Sequence, residues 1–332
     1  MFTLPILLIT FNRPDHVRKV LIEILKQEPQ DLYICQDGAR KGNDIDCISC
    51  QEVRNVVYEL ISAYAIGHRD FTFHTLYQKK NLGCGPGPAA GITWFFENVE
   101  MGIIMEDDCL PHPDFFTYCE DMLTRYKDDK HVQFINATLY HDRWKCDASY
   151  GFSRYMVTGA WAAWRETWQG FDLDMHTWNA WQFRKQVKSL TNSITEANWW
   201  YWKLKEIQTD TSKKSYWDYQ MQMHLFRNNA ITIHPHKNLI SNIGFDAEGT
   251  HTLSNDGRGE REVFPVLPLD YPTDIIINNA MDVDCFGKTQ PQSVYKNLVQ
   301  FTYQYMLHSR GLMYALLKLY KKIKNKPLIS NL

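Results

Sequence analysis

Gly102-Ile103-Ile104-Met105-Glu106-Asp107-Asp108-Cys109-Leu110-Pro111-His112-Pro113-Asp114-Phe115-Phe116 is the stretch on which the reading of this chain turns. It opens as an apolar run of strand length, delivers three consecutive carboxylates, passes two prolines and then takes up helical spacing. An acidic triplet in isolation is most often a solvated turn, because charged side chains are mostly exposed. Carboxylates at the carboxyl end of a buried strand are different, since open α/β sheets bind ligands there. Three adjacent negative charges also repel one another unless a cation, a basic group or water offsets them.

Working outward, the same alternation recurs on both sides. Ile6 to Thr10 reads as a first strand, and Asn12-Arg13-Pro14 starts a helix, with proline favoured in its first turn. Leu32 to Gln36 is a second strand ending in Asp37-Gly38, and a helix is expected from Ser49 to about Ile66. Phe71 to Tyr77 forms a third strand, and the loop Gly83 to Pro88 opens another helix. After the acidic stretch come a helix over Asp114 to Tyr126 and a strand at Val132 to Asn136. Strands alternating with helices imply a mixed, mainly parallel α/β sheet, Rossmann-like and flanked by helices.

Beyond Tyr140 the chain is aromatic and less regular, with helices expected at Arg165–Gly170, Trp178–Lys188 and Tyr216–Arg227 and a strand at Ala230–His234. Nine of the eleven tryptophans fall between Trp161 and Trp217, which suits a thick core in which two or three rings stack on a sugar. Gly244 to Arg261 reads as a mobile loop. The division expected is a nucleotide-sugar-binding half over 1–140, an acceptor and catalytic-base half of the same domain over 141–262, and a C-terminal extension over 263–332. From Phe301 to Leu332 there is no acidic residue, while Arg310, Lys318, Lys321, Lys322, Lys324 and Lys326 face an apolar stripe. Such a helical tail could make peripheral contact with an anionic membrane, or pack on its own domain.

With 44% hydrophobic and 22% charged residues the composition is that of an ordinary globular protein, and a net charge of −2 argues against nucleic acid as a partner. Only Cys47 and Cys50 of the eight cysteines have C-x-x-C spacing, and no second pair completes a zinc site. The apolar start reads as a strand rather than a signal peptide, and no run reaches the roughly 18 apolar residues of a membrane span. A cytoplasmic location, at the inner face of the cell membrane if the tail binds there, is the expectation.

Several separate pieces together resemble a GT-A nucleotide-sugar glycosyltransferase, and more narrowly the N-acetylglucosaminyltransferase I type. They are Thr10-Phe11-Asn12-Arg13, Cys35-Gln36-Asp37-Gly38, Met105-Glu106-Asp107-Asp108 with Pro113 to Phe116, Val157 to Trp161, Tyr216-Trp217-Asp218, and Ile233-His234-Pro235 followed by Ser241, Gly244, Phe245, Gly249, Thr250 and His251. The resemblance implies a metal-dependent, inverting transfer of a hexosyl or N-acetylhexosaminyl group from a nucleotide-sugar donor, a UDP-sugar, to a glycan or lipid-linked glycan acceptor, in polysaccharide or glycolipid assembly. Arg13 and Asp37 would lie at the uridine end, Asp107 at the ribose, Asp108 on Mn²⁺ or Mg²⁺, and Glu106 in support. Trp217 would line the sugar pocket, Asp218 would be the general base, and Thr250 and His251 would close over the diphosphate. The loop Gly83 to Pro88 departs from the family, so no contact transfers there. Asp218 beside two aromatic rings, Trp217 and Tyr219, also fits a base on physical grounds, since desolvation raises a carboxylate pKa; the lesser alternative is an N-cap of the following helix, and the two roles can coexist. The competing readings are a retaining transferase or sugar nucleotidyltransferase on a similar fold, and a non-catalytic carbohydrate-binding protein.

Overall fold

The apolar runs become strands, and their alternation decides which helix covers which face. The structure, a computed structural model, describes residues 2–139, 147–209, 216–244 and 260–289. In chain order the first half contains β1 (Ile6–Thr10), α1 (Pro14–Leu25), β2 (Asp31–Gln36), α2 (Asp44–Ala65), β3 (Thr72–Tyr77), α3 (Pro86–Asn98), β4 (Met101–Glu106), β5 (Cys109–Pro111), α4 (Asp114–Tyr126) and β6 (Val132–Asn136). The second half adds β7 (Tyr150–Ser153), β8 (Ala160–Trp164), α5 (Arg165–Trp168), α6 (Ala180–Thr191), α7 (Ile194–Thr209), α8 (Asp218–Arg227), β9 (Ile231–Pro235), β10 (Ile240–Asn242) and α9 (Asn279–Thr289).

Eight strands form one sheet in the order β3-β2-β1-β4-β8-β6-β9-β7. Pairing is parallel from β3 through β4 and between β6 and β9, and antiparallel wherever β8 or β7 takes part. The mixed, mainly parallel sheet flanked by helices is thus as expected. Ile6 and Leu8 of β1 share one face with Leu32, Ile34, Ile103 and Met105, covered by α1, α2 and α4. Leu7, Ile9, Tyr33, Cys35 and Ile104 point the other way, onto α3 and the apolar side of α8. Burial on both faces explains why β1 and β4 read as continuous apolar runs rather than alternating ones.

A separate aromatic cluster lies beyond the sheet, where α6, α7, α8 and α9 pack through Phe183, Trp200, Phe226 and Phe286. Trp161, Trp168, Trp178, Trp200 and Trp217 are buried, so most of the tryptophan crowding fills core; among the described residues Trp181 is the exposed one, at 51%. Besides β7 and α9, three features were not foreseen. The first is β8, whose Ala160-Trp161-Ala162-Ala163-Trp164 inserts antiparallel between β4 and β6. Another is α7, begun by Ser193, whose hydroxyl accepts from the Glu196 amide at 3.2 Å. The last is a two-stranded ribbon of β5 and β10. α2 begins five residues earlier than expected, because Asn43 rather than Ser49 caps it, accepting from the Asp46 amide. The basic tail and the loop expected around Gly244 to Arg261 lie outside the described residues, the latter apart from its two ends. Among the described residues no helix is long and apolar enough to cross a membrane.

β4 is seated by a glycine. A Cβ at Gly102 would lie 2.7 Å from the Pro5 carbonyl oxygen, which accepts from the Ile103 amide, and closer still to the buried Phe95 ring. Gly102→Ala is therefore expected to destabilise the fold by about 1–3 kcal/mol in urea unfolding, the usual effect of overpacking.

Candidate functional site

The strand ends converge. β1 and β4 pair in parallel with Ile9 opposite Glu106, so the residues following both strands emerge side by side. β2 pairs with β1 up to Gln36, which brings Asp37 to the same edge. Between them lies a cavity of about 400 Å³ lined by, among others, Arg13, Asp37, Arg40, Asn81 and the whole triplet Glu106-Asp107-Asp108. Gly83, Cys84, Gly87, Gly159, Trp217 and Gly244 complete much of its wall.

Each carboxylate of the triplet is held differently. Asp107 accepts a hydrogen bond from the Phe11 amide at 3.1 Å. Asp108 lies 3.4 Å from the Arg13 guanidinium, and its carbonyl accepts from the Ile243 amide at 2.8 Å. Glu106 ends β4, its amide donating to the Gly159 carbonyl at 2.8 Å. Burial, then the charges of Asp108, Asp107 and Asp218, push the Glu106 carboxyl up to about 8, with Arg13 opposing. Asp107 is raised for the same leading reason, burial, followed by Asp108. The effect of Asp218 on Glu106 ties the start of α8 electrostatically to the end of β4.

Two glycines permit this crowding. Gly159 has φ +107, and a Cβ there would meet the Cys109 sulfur. At Gly244 a Cβ would collide with the Asp108 carboxylate and approach Arg13 to 2.8 Å. The chain reaches Gly244 because β10 pairs with β5, directly after the triplet, and His16 contacts the Ile243 carbonyl at 3.1 Å.

Asp37 stands at the β2 end as expected, but its carboxylate is occupied. Oδ1 accepts from the amides of Gly38 and Leu82, both at 2.8 Å. Oδ2 accepts from the Gly83 amide at 2.9 Å and the Asn81 side chain at 3.0 Å. Four donors fill a carboxylate's roughly four lone-pair sites. The chain follows it closely: Gly83 adopts φ +86, and a Cβ at Gly87 would lie 3.2 Å from Oδ2. The loop that opens at Gly83 thus wraps Asp37, which sits against the first turn of α3, where a carboxylate is electrostatically favoured.

Trp217 lines the cavity with its ring between Trp161 and Trp168, at centroid distances of 5.9 and 6.0 Å. Asp218 is the first residue of α8 and accepts from its neighbour Tyr219 at 2.9 Å; Trp217 occupies the capping position and offers no side-chain bond. Thr250 and His251 lie outside the described residues. Sequence reasoning missed Arg40 and Asn81: the loop brings Asn81 onto Asp37 from 44 residues away, and Arg40 is fixed by Asp46.

Among the described residues no three ligating side chains converge as a ready metal cage. The donors are nonetheless hard oxygens, and the raised proton affinities of Glu106 and Asp107 mark a place short of positive charge. That suits an ion taking one or two carboxylates and completing its shell with substrate phosphates and water.

No protein-family model matches the chain, and no curated protein matches it in sequence. Among solved structures it is similar to a mannosyltransferase from Pyrobaculum calidifontis in complex with GDP-mannose and Mn²⁺, at 11% identity and TM-score 0.38, covering 69% of this chain and 72% of that one. It is also similar to residues 1–349 of S. aureus TarS, at 9% identity and TM-score 0.41, covering 72% and 60%. A third is a glucose-1-phosphate thymidylyltransferase from Bacillus anthracis, in complex with sucrose, at 14% identity and TM-score 0.32, covering 60% and 83%. Likeness this loose assigns no reaction; the chemistry has to come from the cavity.

Raising a carboxyl's pKa in the folded state means that the fold binds more protons than the unfolded chain between the two pKa values. Stability then falls as pH rises through that window. In metal-free protein, Glu106→Gln is expected to melt higher than the parent at pH 8 and above, by at least about 2 °C, and to lose that gain toward pH 4. Thermal melts in chelator across this range would check it.

Proposed function

We propose that the chain is a metal-dependent glycosyltransferase of the GT-A kind that moves a sugar from a nucleoside diphosphate, a UDP-sugar in the first instance, to a glycan hydroxyl with inversion. The observation that carries this reading is the desolvated carboxylate triplet at the end of β4, facing a cavity that Arg13 and Trp217 also line. Three mutually repelling carboxylates are a poor binding surface for anything anionic by themselves. They become a diphosphate site once a cation lies between.

Asp108 would hold Mn²⁺ or Mg²⁺ together with the diphosphate oxygens, the ion neutralising charge on the leaving group. Asp107, steadied by the Phe11 amide, would accept from a ribose hydroxyl, with Glu106 supporting both neighbours. Trp217 would form the floor under the transferred sugar. Asp218 would take the proton from the acceptor hydroxyl as that oxygen bonds to the anomeric carbon. As that bond forms, the bond from the anomeric carbon to the diphosphate oxygen breaks, and its electron pair leaves with the nucleotide. Backside attack by one activated hydroxyl inverts the anomeric centre. Thr250 and His251, which follow Gly244 in the sequence, would close over the diphosphate. Assembly of a polysaccharide or glycolipid, on a lipid-linked acceptor reached through the basic tail, is the biological setting proposed.

A screen of nucleotide sugars for metal-dependent hydrolysis tests the reading without knowledge of the acceptor. Asp108→Ala is expected to abolish Mn²⁺-dependent nucleotide binding measured by calorimetry. Asp218→Asn should retain that binding while transfer falls by about 10²–10⁴, the usual worth of a general base. Turnover unchanged in Asp218→Asn would remove Asp218 from the role, and a retained anomeric configuration in the product, read by NMR, would replace inversion with retention.

A further inference from the structure

We infer that Arg40, with Asn81, selects the nucleobase of the donor, and that it favours a base presenting a ring carbonyl beside a ring N–H. This assignment rests on the nucleotide-sugar reading of the cavity. It starts from the saturation of Asp37: with both oxygens engaged by residues 38 and 81–83, that carboxylate holds the loop and has no lone pair to spare for a ligand. Polar groups with bonding capacity left on the same wall include Arg40 and Asn81, both of which line the cavity.

Arg40 is held in a fixed pose. Its Nε and Nη2 donate to the two oxygens of Asp46, at 2.5 and 2.7 Å, and its amide donates to the same carboxylate at 3.2 Å. Asp46 is 1% exposed and also accepts from Asn12 at 2.9 Å, whereas the Arg40 side chain is 50% exposed. Two of its five N–H donors are spent on Asp46, which leaves three without a partner among the described residues. A guanidinium so anchored reads planar acceptors with little loss of entropy. The residue is placed for a base rather than a phosphate. Its guanidinium carbon lies 5.6 Å from the centroid of the Phe11 ring, and the Phe11 amide bonds Asp107, the proposed ribose contact. One residue thus spans from the ribose end to Arg40.

Asn81 supplies the complementary group. Its Nδ2 donates to Asp37 at 3.0 Å and to the Gly38 carbonyl at 2.9 Å, which fixes the amide's orientation and leaves its Oδ1 without a partner among the described residues. Donors from Arg40 and an acceptor from Asn81 match uracil, thymine and guanine, each of which sets a carbonyl next to a ring N–H. Adenine and cytosine carry no ring N–H beside a carbonyl: each sets an amino group beside a bare ring nitrogen, so either the Arg40 donors would meet an N–H or the Asn81 oxygen would meet a lone pair.

The test is calorimetric binding of UDP, GDP, TDP, ADP and CDP to the full chain in Mn²⁺, with Arg40→Ala and Arg40→Lys. The parent is expected to bind the first three about tenfold or more tighter than ADP and CDP, as for one good bidentate base contact. Both variants should bring that ratio close to one while binding stays Mn²⁺-dependent. Arg40→Lys keeps a cation beside Asp46, so it serves if Arg40→Ala loosens the fold. A base preference that survives in folded Arg40→Lys, or a parent that shows none, overturns the role of Arg40 alone. Failure of all five nucleotides to bind the parent would overturn the donor-site reading as well.

Discussion

Mutual repulsion among Glu106, Asp107 and Asp108 at the desolvated end of β4 is the constraint that the surrounding structure answers. The charges cannot separate, because they are consecutive and the strand before them is buried on both faces between β1 and β8. Each neighbour deals with part of the load. The Phe11 amide is turned onto Asp107, Arg13 sits beside Asp108, and the Glu106 carboxyl is held toward its protonated form by burial. Such an arrangement costs stability in the free protein, and a preorganised charged site commonly does. The small residues around it follow from the same need: Gly159 and Gly244 lie where any side chain would strike the triplet or its support.

The strand-helix alternation up to Asn136 was legible, β5 apart, because each of the other strands there reads locally: an apolar run, a polar exit, a helix with its own spacing. Later elements hid for identifiable reasons. β8 is built from alanines and tryptophans, a composition with no strand signature, and its identity comes from insertion between β4 and β6, with Trp161 stacked on Phe134 at 4.6 Å. α7 did carry a signal, since Ser193-Ile194-Thr195-Glu196 has the spacing of a capping box, but the aromatic run behind it masked the helical period. For α2 the cap was equally visible at Asn43, and Ser49 was the weaker choice.

The site divides in the same way. The triplet, Arg13 and Trp217 could be found because each adjoins a recognisable element, and all of them meet at the cavity. Asp37 was found but not understood. A carboxylate at a strand end looks like a ligand contact in any sequence, whereas the donors that fill it come from residues 81–83, some 44–46 positions away. Arg40 went unnoticed for the converse reason. An arginine in a polar turn is unremarkable until Asp46 is seen to clamp it, and that clamp depends on α2 beginning at Asp44.

These two ends of the cavity have opposite electrostatic character, and on the proposed reading that separates recognition from chemistry. At the triplet end the nearest cation, Arg13, is already committed to Asp108, so a diphosphate approaching without a metal would meet net negative charge. At the Arg40 end the guanidinium is anchored, half exposed and backed by one fully buried carboxylate, so it can bind a neutral base without waiting for an ion. The sugar and base ends of a donor would therefore be governed by different conditions: the base by shape and hydrogen-bond pattern at any ionic composition, the diphosphate by the supply of divalent cation. Phe11 joins the two, its amide on Asp107 and its ring against Arg40. A displacement of that one residue would loosen ribose and base together, which makes the short link between β1 and α1 the mechanical centre of the donor site.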